Sequence, residues 1–226
     1  MKYDNITCAT FIKRPNRFIA KVEINGHKET VHLKAKEAGV EMDAWKTLKT
    51  EKILDDYHVS VNKCTVELPD GAMIPDFYTV SLPDAAMIAA ITKDGDLLLK
   101  SEYRYACGED VIECPAGMFD PEENDPLVVA KRELQEETGY TSEDWTYLGP
   151  TYESTSKLTN RMHFFMAKDC IQTGSQQLDE NEHLTVMKVK VEEAVNMVMD
   201  GRIKANSAAH LILKVYMMSP EKNESI

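Results

Sequence analysis

Arg132, Glu133, Glu136 and Glu137 stand together in the run Arg-Glu-Leu-Gln-Glu-Glu-Thr-Gly-Tyr, and carboxylates at that density are candidates for holding a cation. Like charges one helical turn apart cost roughly 0.2–0.5 kcal/mol per pair, a penalty that folding gives no reason to accept. A hard divalent ion removes it. Mg²⁺, or Mn²⁺ in its place, takes oxygen ligands and is commonly held by one or two carboxylates together with substrate phosphates. The bland meaning of a Glu-rich helix is a solvated acidic face. Gly117 upstream and Arg132 beside Glu133 argue against it, since a solvated face needs neither.

A helix must hold these carboxylates, and its limits are written in the chain. Asp125 followed by Pro126 is a start: the Asx side chain accepts an orphan backbone N–H, and proline at the first helical position loses nothing. Gly139 is the matching stop. Between them, at about 100° per residue, Leu127, Ala130 and Leu134 share one arc and Glu133, Glu136 and Glu137 an adjoining one. The helix is expected to bury the apolar stripe and to offer the carboxylates beside it.

The stretch from Glu113 to Tyr140 resembles the Nudix box: a glycine, five residues, Glu, seven residues, Arg-Glu, an aliphatic, any residue, Glu-Glu, any residue, Gly, an aliphatic. Gly117 plus five residues reaches Glu123, but eight residues separate Glu123 from Arg132, so one is inserted around Asn124. The helical part of the motif is intact, and the insertion touches only the role of Glu123 or Glu122. The resemblance implies an α+β fold, the Nudix α/β/α sandwich with a mixed sheet. It also implies Mg²⁺ or Mn²⁺ held by Glu133, Glu136, Glu137 and the Ala116 carbonyl. Glu136 would serve catalysis, and Arg132 would orient the carboxylates rather than react.

From Trp45 onward the layout is similar to that of Nudix enzymes acting on nucleoside diphosphate sugars, the ADP-ribose pyrophosphatases among them. Arg104 sits where these relatives place an arginine on the substrate phosphates, and its planar guanidinium suits two phosphate oxygens at once. The alternative for Arg104 is a strand-end ion pair with Glu102. Glu113 and Gly117 fall near the implied substrate. The segment Glu180-Asn181-Glu182 resembles the late loop from which such enzymes supply a catalytic glutamate, which makes Glu180 the expected base and Glu182 a substrate neighbour. ADP-ribose-cleaving relatives usually carry a proline past the box where this chain has Thr155 or Ser156, a departure that touches the choice of substrate and not the metal chemistry.

Composition narrows the partners. Among 226 residues, 26 basic against 38 acidic side chains leave a formal charge of −12, which argues against a nucleic-acid backbone as the main partner. A phosphate substrate remains compatible if cations intervene. No apolar run is long enough to span a membrane, and the N-terminus lacks the basic-then-apolar order of a signal peptide. Five cysteines without metal-ligand pairing fit reduced thiols, and a cytoplasmic protein is expected.

Four segments follow from the pattern: a small β-rich segment over 1–42, an antiparallel subdomain over 43–82 that in the relatives reaches across a dimer, the Nudix domain over 83–220, and a tail over 221–226. Phe11 to Gly26 also resembles the opening of the sugar fermentation stimulation family, whose OB-like module has been associated with DNA. The basic tip Lys13–Arg17 reads as a solvated turn before a nucleic-acid contact. The function these readings support is metal-dependent hydrolysis of a nucleoside diphosphate sugar, most plausibly ADP-ribose, by a homodimer. The rival is a Nudix-fold sensor that binds such a ligand without cutting it and uses residues 1–42 as a nucleic-acid arm.

Overall fold

The computed structural model describes residues 10–16, 19–24, 27–32, 44–180 and 182–219. It divides into two compact units, Met1–Lys46 with Glu67–Ala72, and Thr47–Val66 with Met73–Ile226. In the first, β1 (Thr10–Asn16), β2 (Ile19–Ile24) and β3 (His27–His32) form an antiparallel sheet in the order β1-β2-β3. The two strands expected on either side of the basic segment are present, but β1 runs on through Lys13 and Pro15. Its register against β2 shifts between Phe11 and Lys13 and again between Lys13 and Asn16, the second across Pro15, which lacks the N–H for the ladder. The expected Asn25–Gly26 turn and the tail from Pro220 lie outside the described residues.

A second sheet has the order β4 (Lys46–Asp55), β5 (Ser60–Glu67), β6 (Met73–Ser81). Every position of β4 is exposed.

The largest sheet has eight strands: β7 (Ala85–Thr92), β8 (Asp96–Arg104), β9 (Glu109–Glu113), β10 (Ala116–Met118), β11 (Tyr140–Thr141), β12 (Asp144–Thr151), β13 (Met162–Gln172) and β14 (Leu184–Lys190). Its path is β11-β13-β7-β8-β14, with β10 on β7, β12 on β13 and β9 on β8. It is mixed because β13 runs parallel to β7 while the other pairings described are antiparallel.

The period of two in the strands sorts side chains between two helical layers. Met87, Ala89, Leu97, Leu99 and Phe164 face α2 (Val191–Met199) and α3 (Asn206–Met217), packing with Ala194, Leu211, Ile212 and Val215. Ala86, Ile88, Ala90, Leu98 and Phe165 face α1 (Pro126–Thr138), packing with Val129, Ala130 and Leu134. The result is the expected α/β/α sandwich. Small residues dominate β7, which lets a central strand be buried on both faces while helices approach closely. Among the described residues no helix is long and apolar enough to cross a membrane.

α1 keeps its expected limits. The Asp125 carboxylate accepts from Leu127 N at 2.9 Å, Pro126 opens the helix, and Gly139 closes it at φ 74°. One expectation needs correction. The carboxylates do not all lie on an exposed face: Glu133 is 7% and Glu137 2% exposed, and only Glu136 reaches well into solvent. The turn of β10 passes across the helix, so two of the acidic side chains are covered by chain from elsewhere.

Candidate active site

Arg132 gathers the acidic groups. Its Nε donates to Glu123 Oε1 at 3.1 Å and its Nη2 to Glu123 Oε2 at 2.9 Å and to the Met118 carbonyl at 3.1 Å. Its Nη1 donates to Glu133 Oε1 at 2.7 Å and to Glu136 Oε2 at 3.1 Å. A planar fork of donors fixes three carboxylates relative to one another, which a lysine could not do. The paired bonds from Arg132 hold the Glu123 carboxyl below the usual range. Glu123, and not Glu122, therefore meets the arginine. The inserted residue is absorbed in the loop, where Glu123 N donates to Asp120 O and Asn124 Nδ2 to Glu122 O.

Opposite the helix lies the turn of β10. A Cβ built on Gly117 would stand 1.9 Å from Glu133 Oε1, so the Glu133 carboxylate lies where any side chain at 117 would be. Close approach, and not backbone conformation, is what position 117 demands of glycine. Ala116 N donates to Glu137 Oε2 at 2.9 Å. Glu137 Oε1 forms an ion pair with the ammonium of Lys100, a side chain only 2% exposed. That ammonium also donates to the Ala116 carbonyl at 3.4 Å and lies 3.5 Å from Glu102 Oε2. Burial pushes the Glu137 carboxyl up to about 7, against the pull of Lys100, and burial likewise raises Glu133, against Arg132.

Arg104 makes the ion pair with Glu102 that was its alternative, and a second one with Glu113. Its Nε and Nη2 donate to Glu113 Oε2 at 3.0 and 2.5 Å, its Nη1 lies 3.1 Å from Glu102 Oε2, and it lines a cavity of about 560 Å³. The same cavity is lined by Lys100, Ala116, Gly117, Glu137 and Glu182. Glu113, expected as an acceptor near the site, is the partner of Arg104. Glu182 reaches the cavity from the late loop, its Oε2 accepting from Asp179 N at 3.1 Å. Glu180 is exposed and lies outside the cavity lining, as do Arg132, Glu133 and Glu136, which sit behind the Gly117 turn.

No motif in the sequence marks Lys100 as a residue of this site. The signal was present: a lone lysine closes the apolar run Leu97-Leu98-Leu99, and the period of two puts it on the face of Leu98, Glu102 and Arg104, under the acidic helix.

The donors fit a hard divalent cation. They are all oxygen, from Glu133, Glu136, Glu137 and the Ala116 carbonyl, and Gly117 cradles one of the carboxylates. Each carboxylate is held by Arg132 or Lys100, and among the described residues no three acidic, histidine or cysteine side chains converge on a single point. Arg132 takes one oxygen each of Glu133 and Glu136, whereas both oxygens of Glu137 are engaged, by Lys100 and by Ala116 N.

The NUDIX domain family matches residues 81–211 of this chain. The chain belongs to the Nudix hydrolase family. An ADP-ribose pyrophosphatase of Bacillus subtilis (strain 168) is 30% identical over 168 residues, 74% of this chain and 90% of that protein. A methanol dehydrogenase activator of Bacillus methanolicus is 32% identical over 159 residues, 70% of this chain and 85% of that one. A GDP-mannose pyrophosphatase of Escherichia coli O1:K1 / APEC is 28% identical over 185 residues, 76% and 95% of the two chains. The crystal structure of an ADP compounds hydrolase superposes with a TM-score of 0.66 at 22% identity, covering 80% of this chain and 98% of that one, and bears out the fold. The Nudix match begins at residue 81 and does not bear on the likeness of Phe11–Gly26 to the sugar fermentation stimulation family.

Within the Nudix site, Gly117→Ala is a sharp test of the cradle. The added methyl forces the Glu133 carboxylate aside and breaks its 2.7 Å bond to Arg132. The expected result is a weaker apparent Mg²⁺ affinity and a turnover lower by about tenfold or more, with circular dichroism unchanged, since only a carboxylate position is lost. Wild-type Mg²⁺ dependence in this variant would show that the close approach has no function.

Proposed function

We propose that this Nudix protein hydrolyses the diphosphate bond of a nucleoside diphosphate sugar, ADP-ribose foremost, in a Mg²⁺- or Mn²⁺-dependent reaction in the cytoplasm that yields a nucleoside monophosphate and a sugar phosphate. The observation that carries this reading is the meeting of Glu137 of the acidic helix, Ala116 and two basic side chains, Lys100 and Arg104, at one cavity large enough for such a substrate. The ADP-ribose and GDP-mannose pyrophosphatases to which the chain is similar support the substrate class.

Glu133, Glu136, Glu137 and the Ala116 carbonyl would hold the cation, which when bound neutralises diphosphate oxygens and activates water. Arg132 keeps the carboxylates in place. Arg104 would bind substrate phosphate: its guanidinium is 38% exposed, so an anionic substrate can compete with Glu102 and Glu113 for its donors. The late loop would take the proton of the attacking water, a role supported by Glu182 lining the cavity.

Incubation of the purified protein with Mg²⁺ and a panel of nucleoside diphosphate sugars, products identified by mass, tests the proposal. Release of a nucleoside monophosphate from ADP-ribose is expected. Tight binding of the panel without turnover would instead establish the sensor reading.

The proposal includes a homodimer formed through residues ~45–82. Along β4, Leu48, Ile53 and Leu54 are exposed, as are Met73 and Tyr78 on the same sheet. A small sheet with apolar side chains left in solvent and an open edge strand is the kind of surface a second copy covers. Light scattering at micromolar concentration is expected to give twice the chain mass of 25.6 kDa, and a clean monomer would end this part of the proposal.

A further inference from the structure

Two of the oxygens assigned to the divalent cation already serve another positive charge. The Lys100 ammonium pairs with Glu137 Oε1 and donates to the Ala116 carbonyl at 3.4 Å. Lysine is almost never fully buried unless it is paired, and Lys100, 2% exposed, is held there by these contacts and by Glu102 at 3.5 Å. Magnesium takes its oxygens at about 2.0–2.1 Å, so an ion bridging these same two atoms would stand against the ammonium that already bridges them, and two positive charges that close repel strongly. One set of oxygens, two cations: occupancy is exclusive.

The chain also supplies somewhere for the displaced amine to go. Glu102 lies on the same face of β8, two residues on, and lines the same cavity as Lys100 and Arg104. A side chain with four rotatable carbons can leave Glu137 and stay inside that cavity, which is where the diphosphate of the proposed substrate is bound.

Resting on the metal site of the proposed function, we infer that Lys100 is a tethered counter-ion that occupies the cation's place on Glu137 and the Ala116 carbonyl, and that binding of the divalent ion must expel its ammonium toward Glu102 and the substrate phosphates. Two consequences follow. The metal-free protein keeps a buried carboxylate balanced and stays folded without its ion. Cation affinity is held down by the competitor, and substrate, by offering an anion to the released ammonium, raises that affinity in turn.

The test is direct Mn²⁺ binding, read by electron paramagnetic resonance of the free ion, on the full-length protein and on Lys100→Met, with melting temperatures in EDTA and in Mg²⁺ beside it. Lys100→Met is expected to bind Mn²⁺ about tenfold or more tightly than wild type, a size usual for two ligands coupled at adjoining sites. It should melt lower than wild type in EDTA and gain more from Mg²⁺. A purely structural lysine predicts the opposite, because a disturbed site binds its metal less well.

Lys100→Gln, which keeps a donor and loses the charge, provides the same reading should the methionine variant not fold in EDTA. Unchanged or weaker Mn²⁺ affinity in whichever variant folds overturns the inference. Glu137→Gln separates this from failure of the underlying reading: if wild type, the Lys100 variants and Glu137→Gln all fail to bind Mn²⁺, the metal site itself is wrong and the inference falls with it.

Discussion

Glu136→Gln should lower turnover of ADP-ribose, or of whichever nucleoside diphosphate sugar the protein cleaves, by at least ~100-fold with no change in melting temperature, since losing a cation-holding charge costs catalysis and not packing. Its carboxylate is 38% exposed and bonded to Arg132 alone, so the amide leaves nothing buried without a partner. Glu137→Gln and Glu133→Gln should lose as much turnover but differ in stability. Glu137 balances a buried lysine, and taking one partner from a buried ion pair costs about 3–5 kcal/mol when nothing replaces it. The amide oxygen can still accept from Ala116 N, which softens that cost, and a melting temperature lower by several degrees is expected. The pattern across the three variants matters more than any single value. Near-full activity in all three would end the assignment of chemistry to this helix and shift attention to the other glutamates that line the cavity, Glu102, Glu113, Glu153 and Glu182.

Glu182→Gln is the second variant expected to cut kcat by about 100-fold or more, with little change in KM or in Mg²⁺ affinity, the signature of an interaction made only in the transition state. The box carboxylates are poor bases while committed to a cation, so the proton of the attacking water needs another acceptor. By resemblance alone the late loop offered Glu180 for this role and Glu182 as a neighbour. The fold changes the expected ranking. A turn in which Glu182 N donates to Asp179 O and Glu182 Oε2 accepts from Asp179 N carries Glu182 to the cavity, while Glu180 is exposed and outside the cavity lining. Glu180→Gln should therefore be the milder change. Steady-state kinetics with Glu180→Gln as the more damaged variant would return the base to Glu180, and wild-type turnover in both would leave the loop out of the chemistry.

The helix and its chemistry were open to reading from residues alone because every signal involved is local. Asp125, Pro126 and Gly139 act on backbone groups within one turn of themselves, and α1 begins and ends where they place it. Spacing within a helix puts Glu133, Glu136 and Glu137 near Arg132 whatever surrounds them. Strands such as β7, β8 and β13 announced themselves by apolar runs, and the order of elements with the Nudix likeness was sufficient for the sandwich.

What spacing could not supply was burial and pairing across the chain. β9 and β10 are short and carry no periodic signal, yet β10 covers Glu133 and Glu137 and turns an exposed acidic face into a partly dry one. Lys100 meets a helix residue 37 positions away, a contact made by stacking α1 on the sheet and by nothing near it in the chain. Glu182 and Glu180 look alike as neighbours in a polar loop, and only the closing of that loop on Asp179 and the pairing of β14 with β8 separate their positions. Local geometry is dictated by residues a few places apart, whereas which charges share a desolvated pocket depends on long-range packing, and it is there that this site acquires its second cation.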